Sequence, residues 1–285
     1  APLPDRAAPG VGRGGGAREA GGAARPCAGK MERMVASVGD SGGGIEGAPA
    51  MLAGTGQLNT HLIVACTANR GLCGGFNSSI IRKVRALARD LKGGGKTVKI
   101  LCVGRKGRDG LKREFGDNII DTIEGIGRRN VEYAEGVDVA EKITALFDDG
   151  GFDVCTIVFN RFKSAMTQIP TAQQLIPFAA PETTDDETAK DSAGTDDAGP
   201  QPIFIFEPDE QDILAELLPR NLGVQVFQAL LESAASEHGS RMTSMDNATR
   251  NASDMIDSLT LTYNRTRQAA ITRELIEIIS GAEAL

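Results

Sequence analysis

The 285-residue chain has few of the residues that bind metals, sugars or nucleic-acid bases. It contains no Trp and two His, and aromatic residues make up only 4% of it, which disfavours aromatic stacking platforms. Its five Cys form no CxxC pair, which argues against the common zinc spacings and the disulfide framework of small secreted proteins. Lys and Arg number 31 against 38 Asp and Glu, and the net charge of −7 argues against sequence-independent binding to nucleic acid.

Membrane-spanning and metal-binding patterns are also missing. No run of 18 or more apolar residues occurs, so we expect no transmembrane helix, and the chain has no signal-peptide pattern. His61 and His238 have no carboxylate or Cys at metal-ligand spacing, so we expect no metal site. Cys66, Cys102 and Cys155 lie in apolar runs and are predicted to be small buried side chains in a reducing compartment.

The pattern between residues 58 and 178 predicts an α/β domain. Apolar runs rich in β-branched residues alternate with helical periodicity, which is typical of a Rossmann-like, mostly parallel sheet covered by helices. The predicted strands are 60–67, 97–103, 117–123 and 153–159. One helix is predicted to follow Asn77 as its N-cap, and a second to run from Asp138 to Gly150. A last strand at 165–176 follows too closely for a crossover helix, so we expect it to pair antiparallel at the sheet edge.

Two segments of unusual composition flank this domain. In the N-terminal segment, residues 1–57, the first 30 residues include 8 Gly, 8 Ala, 4 Pro and 4 Arg, and no apolar period runs through them. Residues 179–208 are predicted to be an exposed linker rich in Asp and Glu, with a lead-in to the following helix.

Residues 209–285 predict one long helix, interrupted near Pro219. Apolar and small residues recur at alternating spacings of three and four, which is the repeat of a coiled coil. This helix would extend for about 90 Å at about 1.5 Å per residue and needs a partner helix for its stripe. The stripe consists of Met242, Met245, Thr249, Ala252, Ile256, Leu259, Tyr263, Thr266 and Ala270.

A glycine-rich stretch at 70–77, RGLCGGFN, lies between the first predicted strand and the first predicted helix. Phosphate-binding loops occupy this position in nucleotide-binding folds, but the stretch matches neither GxxxxGK[ST] nor GxGxxG. We favour a tight strand-to-helix turn. Cys73, which lies within it, could be a reactive thiol, although a small turn residue fits better because no His is near in sequence.

Three motifs resemble one known family. The C-terminal string SEHGSRMTSMDNATRNASDMIDSLTLTYNRTRQAAITRELIEIISGAEAL, RGLCGGFNSS at 70–79 and FEPDE at 206–210 resemble the gamma subunit of F-type ATP synthases, of bacterial or mitochondrial type. The resemblance covers about 58–285. It implies a long C-terminal helix forming an antiparallel coiled-coil shaft with an N-terminal helical segment.

The resemblance implies a central rotor shaft that couples proton-driven rotation of a membrane ring to conformational changes at the catalytic sites of an ATPase head. The implied partners are three pairs of catalytic and non-catalytic head subunits, a small stalk subunit and the proton-carrying ring. Arg267, Gln268, Thr272 and Glu274 match family positions that contact the catalytic subunits, and Glu207 matches a position that meets the ring. No cofactor, nucleotide site, catalytic site or nucleic acid partner is implied. The implied location is the cytoplasmic face of the bacterial inner membrane, or the matrix face of the mitochondrial one.

The N-terminus departs from the family pattern, which begins with a second long helix. Only residues 17–38 are similar to the far end of that helix, and we expect them to be helical and to pack on residues 231–252. Residues 1–16 are expected to be irregular. Two other functions remain open: an α/β enzyme or ligand-binding domain with a helical oligomerisation arm, and a coiled-coil adaptor without energy transduction.

Overall fold

A computed structural model describes residues 50–127, 130–178 and 210–283 of the chain. These residues form an α/β domain followed by one very long helix. The strands are β1 (Thr60–Cys66), β2 (Thr97–Val103), β3 (Ile119–Ile123), β4 (Val154–Phe162) and β5 (Gln168–Ile176). The helices are α1 (Ala50–Ala53), α2 (Phe76–Gly93), α3 (Arg105–Phe115), α4 (Tyr133–Asp148) and α5 (Glu210–Glu283), with a 3₁₀ turn at Gly116–Asn118.

The five strands form one sheet in the order β3-β2-β1-β4-β5. Strand β1 pairs in parallel with β2 and β4, and β2 pairs in parallel with β3. Strand β5 is antiparallel to β4, which confirms the expectation drawn from the short connection between them. The mostly parallel sheet predicted from the strand–helix alternation is therefore present.

Each face of the sheet carries its own core. Leu62, Val64 and Cys66 of β1 point to the side covered by α4 and α5. Ile63 and Ala65 alternate with them and pack on the side of α2 and α3. All five are buried, because both faces of a parallel sheet are covered by helices. This explains why β1 is a continuous apolar run instead of an alternating one.

The predicted starts of two helices were wrong. Helix α2 begins at Phe76 with Gly75 as N-cap, and the Asn77 side chain accepts a hydrogen bond from the main chain of Ala68 (2.9 Å) instead of capping. Helix α4 begins at Tyr133, five residues before the predicted start, because Glu132 and Glu135 form a capping box there. It ends at Asp148, close to the predicted stop. The sequence interpretation did not name α3.

Helix α5 is continuous through Pro219, so the predicted break was wrong. Its 74 residues extend for about 110 Å at about 1.5 Å per residue. Leu218 and Leu222 on either side of the proline are buried in the core, and Pro219 itself is exposed. Burying two leucines contributes about 1.5–3 kcal/mol each, which offsets the roughly 3 kcal/mol cost of an interior proline.

Several expectations lie outside the described residues. They include the irregular structure expected for residues 1–16, the helix at 17–38 with its packing on 231–252, and the acidic linker at 179–208. The segment boundaries at 57, 178 and 208 also remain predictions.

Candidate partner-binding surface on the long helix

The first half of α5 is docked on the α/β domain. Its buried residues include Leu222, Val226 and Leu230, which join the core formed with α4 and β4. The aromatic rings of Tyr133 and Phe227 meet edge to face at 5.5 Å between centroids. This contact fixes the axis of α5 against the sheet and leaves the second half of the helix beyond the domain.

The second half of α5 projects away from the described domain. From residue 246 to 281, every residue except Asn264 is exposed, a length of about 50 Å at about 1.5 Å per residue. The predicted coiled-coil stripe lies mostly on this projection. Ile256, Leu259 and Tyr263 are 62%, 61% and 66% exposed, so no described residue covers the stripe.

The four predicted head-contact residues lie on the projection and divide between two faces. Gln268 and Thr272 are one turn apart, and the Thr272 hydroxyl donates a hydrogen bond to the main-chain carbonyl of Gln268 (2.9 Å). Arg267 and Glu274 are seven residues apart, which places them on one side, near the coiled-coil stripe. At about 100° per residue the two pairs are separated by about 130° around the helix. The two pairs therefore face in different directions. Glu207 lies outside the described residues.

Near its C-terminal end the projection carries a broad, exposed apolar face. Five large side chains are at least 50% exposed there: Ile271, Leu275, Ile276, Ile278 and Ile279. At about 100° per residue these side chains span about 160° of the circumference, which is a broad apolar face of the kind that a helix buries against a partner. Among the described residues, no helix combines the length and hydropathy needed to cross a bilayer.

A cleft of about 700 Å³ lies at the carboxyl ends of β1, β2 and β3, beside α5. Its lining includes the cationic side chains of Arg70, Arg105 and Arg241. Ligands of open α/β sheets bind at this edge. The cleft is therefore the place to test the nucleotide-binding alternative.

The helix N-terminus that faces this cleft is occupied by the protein itself. The first three amides of α3 donate to Asn69 Oδ1 (3.4 Å), the Ala68 carbonyl (3.1 Å) and Thr67 Oγ1 (2.8 Å). A bound phosphate would need these same amides. A Cβ atom added to Gly104, which precedes α3, would lie 2.1 Å from the Thr67 carbonyl oxygen. The turn between β2 and α3 thus packs directly on the end of β1.

The glycine-rich stretch at 70–77 forms the predicted turn between β1 and α2. Gly74 within it has a φ of +54°, a backbone conformation that favours glycine. Cys73 is buried, and burial raises the pKa of its thiol. A raised pKa lowers the thiolate fraction, which is the reverse of what a reactive cysteine needs. The interpretation of Cys73 as a small turn residue therefore fits its surroundings better than the reactive thiol.

The remaining cysteines named from the sequence are also buried. Cys66, Cys102 and Cys155 are nearly inaccessible to solvent, as predicted from their apolar runs. Burial raises the pKa of Cys66 to about 12 and that of Cys102 to about 11. The described residues contain no group of three or more His, Cys, Asp and Glu side chains arranged to hold a metal ion.

Sequence reasoning missed one functional feature, a set of polar residues on the docked half of α5. Glu232, Ser233, Ser236 and Ser240 are buried and bond to the main chain of the α/β domain. Successive members are one, three and four residues apart, which places them on one face of the helix. This spacing was the signal in the sequence that could have indicated a polar contact surface. Short polar residues on a helix also occur on ordinary solvent-facing surfaces, so the spacing by itself did not single them out.

Comparisons with known proteins agree with this architecture. A family model described as ATP synthase matches residues 13–285, which extends the resemblance well upstream of residue 58. The ATP synthase gamma chain of Rhodospirillum rubrum is 56% identical over 266 residues, covering 92% of this chain and 87% of its own length. The ATP synthase gamma chain of Paramagnetospirillum magneticum is 56% identical over 263 residues, covering 92% of this chain and 86% of its own length.

Solved structures point to the same family. A chain in the cryo-EM structure of the Tetrahymena thermophila mitochondrial ATP synthase central stalk and c-ring aligns with a TM-score of 0.60 at 25% identity, covering 84% of this chain and 96% of that one. A chain of the Euglena gracilis mitochondrial ATP synthase, 20% identical with a TM-score of 0.59 over 96% of this chain and 93% of its own, shows the shared fold. The chain described above therefore belongs to the ATP synthase gamma-chain family.

Proposed function

We propose that this chain is the central stalk of a proton-translocating ATP synthase and that its projecting helix turns inside the ATPase head. The observation that carries the proposal is the exposed, apolar end of α5, where Ile271, Leu275, Ile276, Ile278 and Ile279 face outward in several directions. A rod that turns within a sleeve presents every side to its surroundings. The apolar face of this end, which spans about 160°, would be covered by the surrounding head, because exposed apolar patches of this kind mark interaction sites.

The head contacts of the stalk would be made by Arg267, Gln268, Thr272 and Glu274. The side-chain amide of Gln268 and the hydroxyl of Thr272 offer hydrogen bonds on one face. Arg267 and Glu274 offer charges on another. Because the two faces point about 130° apart, the rod is asymmetric in cross-section. An asymmetric rod stabilises different conformations in otherwise equivalent catalytic sites, which is differential binding to conformers.

The partners of the proposed stalk are three pairs of catalytic and non-catalytic head subunits, a small stalk subunit and the proton-carrying membrane ring. The Tetrahymena structure, which contains a central stalk and a c-ring, supports a ring partner. Glu207 is the residue we expect to meet the ring. The bacterial relatives support a location at the inner membrane, and we propose its cytoplasmic face, with the mitochondrial matrix face as the alternative.

We propose that the chain has no catalytic or nucleotide site of its own. The occupied amides of α3 support this for the cleft at the sheet edge, because a phosphate bound there would compete with Thr67, Ala68 and Asn69 for the same amides. The alternative, an α/β enzyme or ligand-binding domain with a helical oligomerisation arm, would place a nucleotide at 71–77, before α2. Nucleotide binding to the purified chain at micromolar concentration would favour that alternative.

The double variant Arg267→Ala with Gln268→Ala tests the head contacts in the assembled ATP synthase. We expect ATP synthesis and hydrolysis to fall about tenfold, which corresponds to about 1.4 kcal/mol. The far-ultraviolet circular dichroism of the isolated chain should not change, since exposed substitutions cost little stability. Unchanged rates in the assembled double variant would contradict the proposal.

The same helix offers matched controls. Arg250→Ala removes an exposed arginine whose guanidinium pairs with Asp246 (2.8 Å) within the helix. Thr260 donates to the carbonyl four residues earlier at 2.8 Å, as Thr272 does at 2.9 Å. Thr272→Ala should therefore slow the enzyme, and Thr260→Ala should not. Equal effects of the two threonine variants would indicate that helix stability, instead of head contact, is being measured.

A further inference from the structure

The docked half of α5 carries five side chains that hydrogen-bond to the main chain of the α/β domain. We name this set, Glu232, Ser233, Ser236, Ser240 and Thr243, the docking seam. Glu232 accepts from the Phe162 amide (2.9 Å), and Ser233 donates to the Cys66 carbonyl (3.4 Å). Ser236 donates to the Asn160 carbonyl (2.8 Å), Ser240 to the Cys73 carbonyl (2.6 Å) and Thr243 to the Ala165 carbonyl (3.2 Å).

The main-chain partners of the docking seam come from several parts of the domain. They belong to the end of β1, the end of β4, the turn between β4 and β5, and the glycine-rich turn before α2. Helix α5 is therefore tied to four separate segments within about three turns. Asn160 extends the ties inward, because its buried side chain donates to the Phe76 carbonyl at 3.2 Å and to Ser79 Oγ at 3.0 Å.

The backbones are also very close at two glycines along this interface. A Cβ atom added to Gly239 would lie 3.2 Å from the Ala165 Cα atom, and one added to Gly136 would lie 2.8 Å from the Phe227 Cβ atom. Such close packing leaves no space for the helix to roll on the sheet. Helix α5 is therefore held on the α/β domain both by hydrogen bonds and by close packing of the two surfaces.

Directional bonds restrict movement in a way that apolar contact does not. Apolar burial depends on area and has no preferred direction, so a helix could slide along an apolar surface with little change in buried area. Hydrogen bonds weaken steeply with distance and angle. A slide of one residue, about 1.5 Å, would disrupt the bonds of the docking seam together, and the buried hydroxyls of Ser233, Ser236 and Ser240 would lose these partners.

We propose that the docking seam makes the α/β domain and α5 a single rigid body and that torque entering through the domain passes to the helix at this seam. The proposal rests on the central-stalk function proposed above. The helix then follows the rotation of the domain without slip. Weakening the seam should uncouple rotation of the ring from the head while leaving the head's own chemistry intact.

The first test locks the seam covalently. A Cβ atom added to Gly74 would lie 3.8 Å from the Ser244 Cβ atom, within the range of about 3.5–4.5 Å found in disulfides. The variant Gly74→Cys with Ser244→Cys is made in a Cys73→Ala background, so that Cys73 cannot compete. In the complete ATP synthase in membrane vesicles, we expect the disulfide to form and proton-driven ATP synthesis to be equal in oxidised and reduced samples. Loss of synthesis on oxidation, restored by reduction, would overturn the proposal, and so would failure of the disulfide to form.

The second test weakens the seam with Ser236→Ala and Ser240→Ala together. We expect ATP synthesis and the number of protons pumped per ATP hydrolysed to fall severalfold in the vesicles, while hydrolysis by the detached head is unchanged. The matched control, Ser258→Ala with Thr262→Ala, has the same four-residue spacing on the projecting half, where the Thr262 hydroxyl donates to the Ser258 carbonyl (3.0 Å). The control should pump and synthesise normally.

Combining the two tests separates mechanical coupling from folding. The disulfide between residues 74 and 244, added to the double variant Ser236→Ala with Ser240→Ala, should restore pumping when oxidised and not when reduced. Normal pumping by the weakened seam, or no rescue by the disulfide, would contradict the proposal. An assembled wild-type complex unable to synthesise ATP would instead contradict the central-stalk function, so the two failures are distinguishable.

Discussion

Replacing Gly104 by Ala tests whether the turn between β2 and α3 is held against the end of β1. Gly104 has a φ of +100°, and its added Cβ atom would lie 2.1 Å from the carbonyl oxygen and 2.7 Å from the carbonyl carbon of Thr67. Neither Thr67 nor Gly104 can move easily to relieve this contact, because the main chain of each is hydrogen-bonded. The Thr67 amide donates to the Val103 carbonyl (2.7 Å), and the Gly104 amide donates to the Ile123 carbonyl (2.9 Å).

The expected cost is the sum of three effects. A non-glycine residue at positive φ costs about 1–2 kcal/mol. Overpacking of a filled site typically costs about 1–3 kcal/mol. The displacement needed to relieve the contact would break one main-chain hydrogen bond, worth about 1 kcal/mol. Gly104→Ala should therefore lower the free energy of unfolding by about 3–6 kcal/mol, a large part of the total stability of a typical protein.

Gly95→Ala is the matched control. Gly95 also has a positive φ of +74°, but an added Cβ atom meets nothing within 4 Å. Its expected cost is the backbone effect alone, about 1–2 kcal/mol. The comparison isolates the clash with Thr67 from the strain of the backbone.

Urea denaturation of the full chain, followed by far-ultraviolet circular dichroism, measures both variants. With a slope of about 2–3 kcal/mol per molar urea, the midpoint should fall by more than about 1 M for Gly104→Ala and by clearly less for Gly95→Ala. Equal shifts for the two variants would refute the close packing of this turn on β1. The amides of α3 would then no longer be held in the hydrogen bonds that compete with a bound phosphate at the cleft.

Four further predictions concern buried hydrogen bonds, stability in acid, cysteine reactivity and the acidic segment. Asn160→Ala should lower the free energy of unfolding by about 2–3 kcal/mol, because two buried hydrogen bonds are lost; an equal loss from Asn160→Leu would show that the hydrogen bonds, not the volume, matter. Asp153 accepts from the Thr55 hydroxyl and two main-chain amides, which hold the pKa of its carboxyl below the ordinary 3.8. The stability that this carboxylate contributes to the folded chain is complete above pH 3.8 and is lost as the pH falls through the lower pKa of the folded state. The melting temperature of Asp153→Asn should therefore lie below that of the wild type at neutral pH and approach it in acid. Cys66 should resist iodoacetamide at about pH 8 until the chain unfolds, since its pKa is raised to about 12 by burial. Deleting residues 182–199 should leave assembly and ATP synthesis intact, because long polar loops add little closure entropy; loss of assembly would indicate that the segment docks on a partner.

The sequence by itself determined the α/β class and the long helix. Continuous apolar runs such as that of β1 indicate strands covered on both faces, because residues on both sides of the strand must then be apolar. The three–four repeat from Met242 to Ala270 indicates a helix that needs a partner, because only a helix brings those positions to one side. Both signals depend on local periodicity, which is written into the order of the residues.

The ends of helices and the passage through Pro219 depended on tertiary structure. Asn77 has the side chain of an N-cap, but it accepts from the Ala68 amide of the preceding turn. Asp138 resembles a helix start, but the capping box of Glu132 and Glu135 begins the helix earlier. Competing caps of this kind differ by about 1 kcal/mol, so packing elsewhere in the domain decides between them.

The docking seam was decided wholly by the tertiary structure. Ser233, Ser236 and Ser240 are small polar residues on a helix, and their partners Cys66, Asn160 and Cys73 are between 76 and 167 positions away in sequence. A main-chain carbonyl is the same acceptor in every residue, so no side-chain pattern marks which carbonyls the serines meet. Periodicity indicates that a helix exists and which face it buries. The position at which it is held, and therefore how it can transmit force, follows only from the packing of the sheet beneath it.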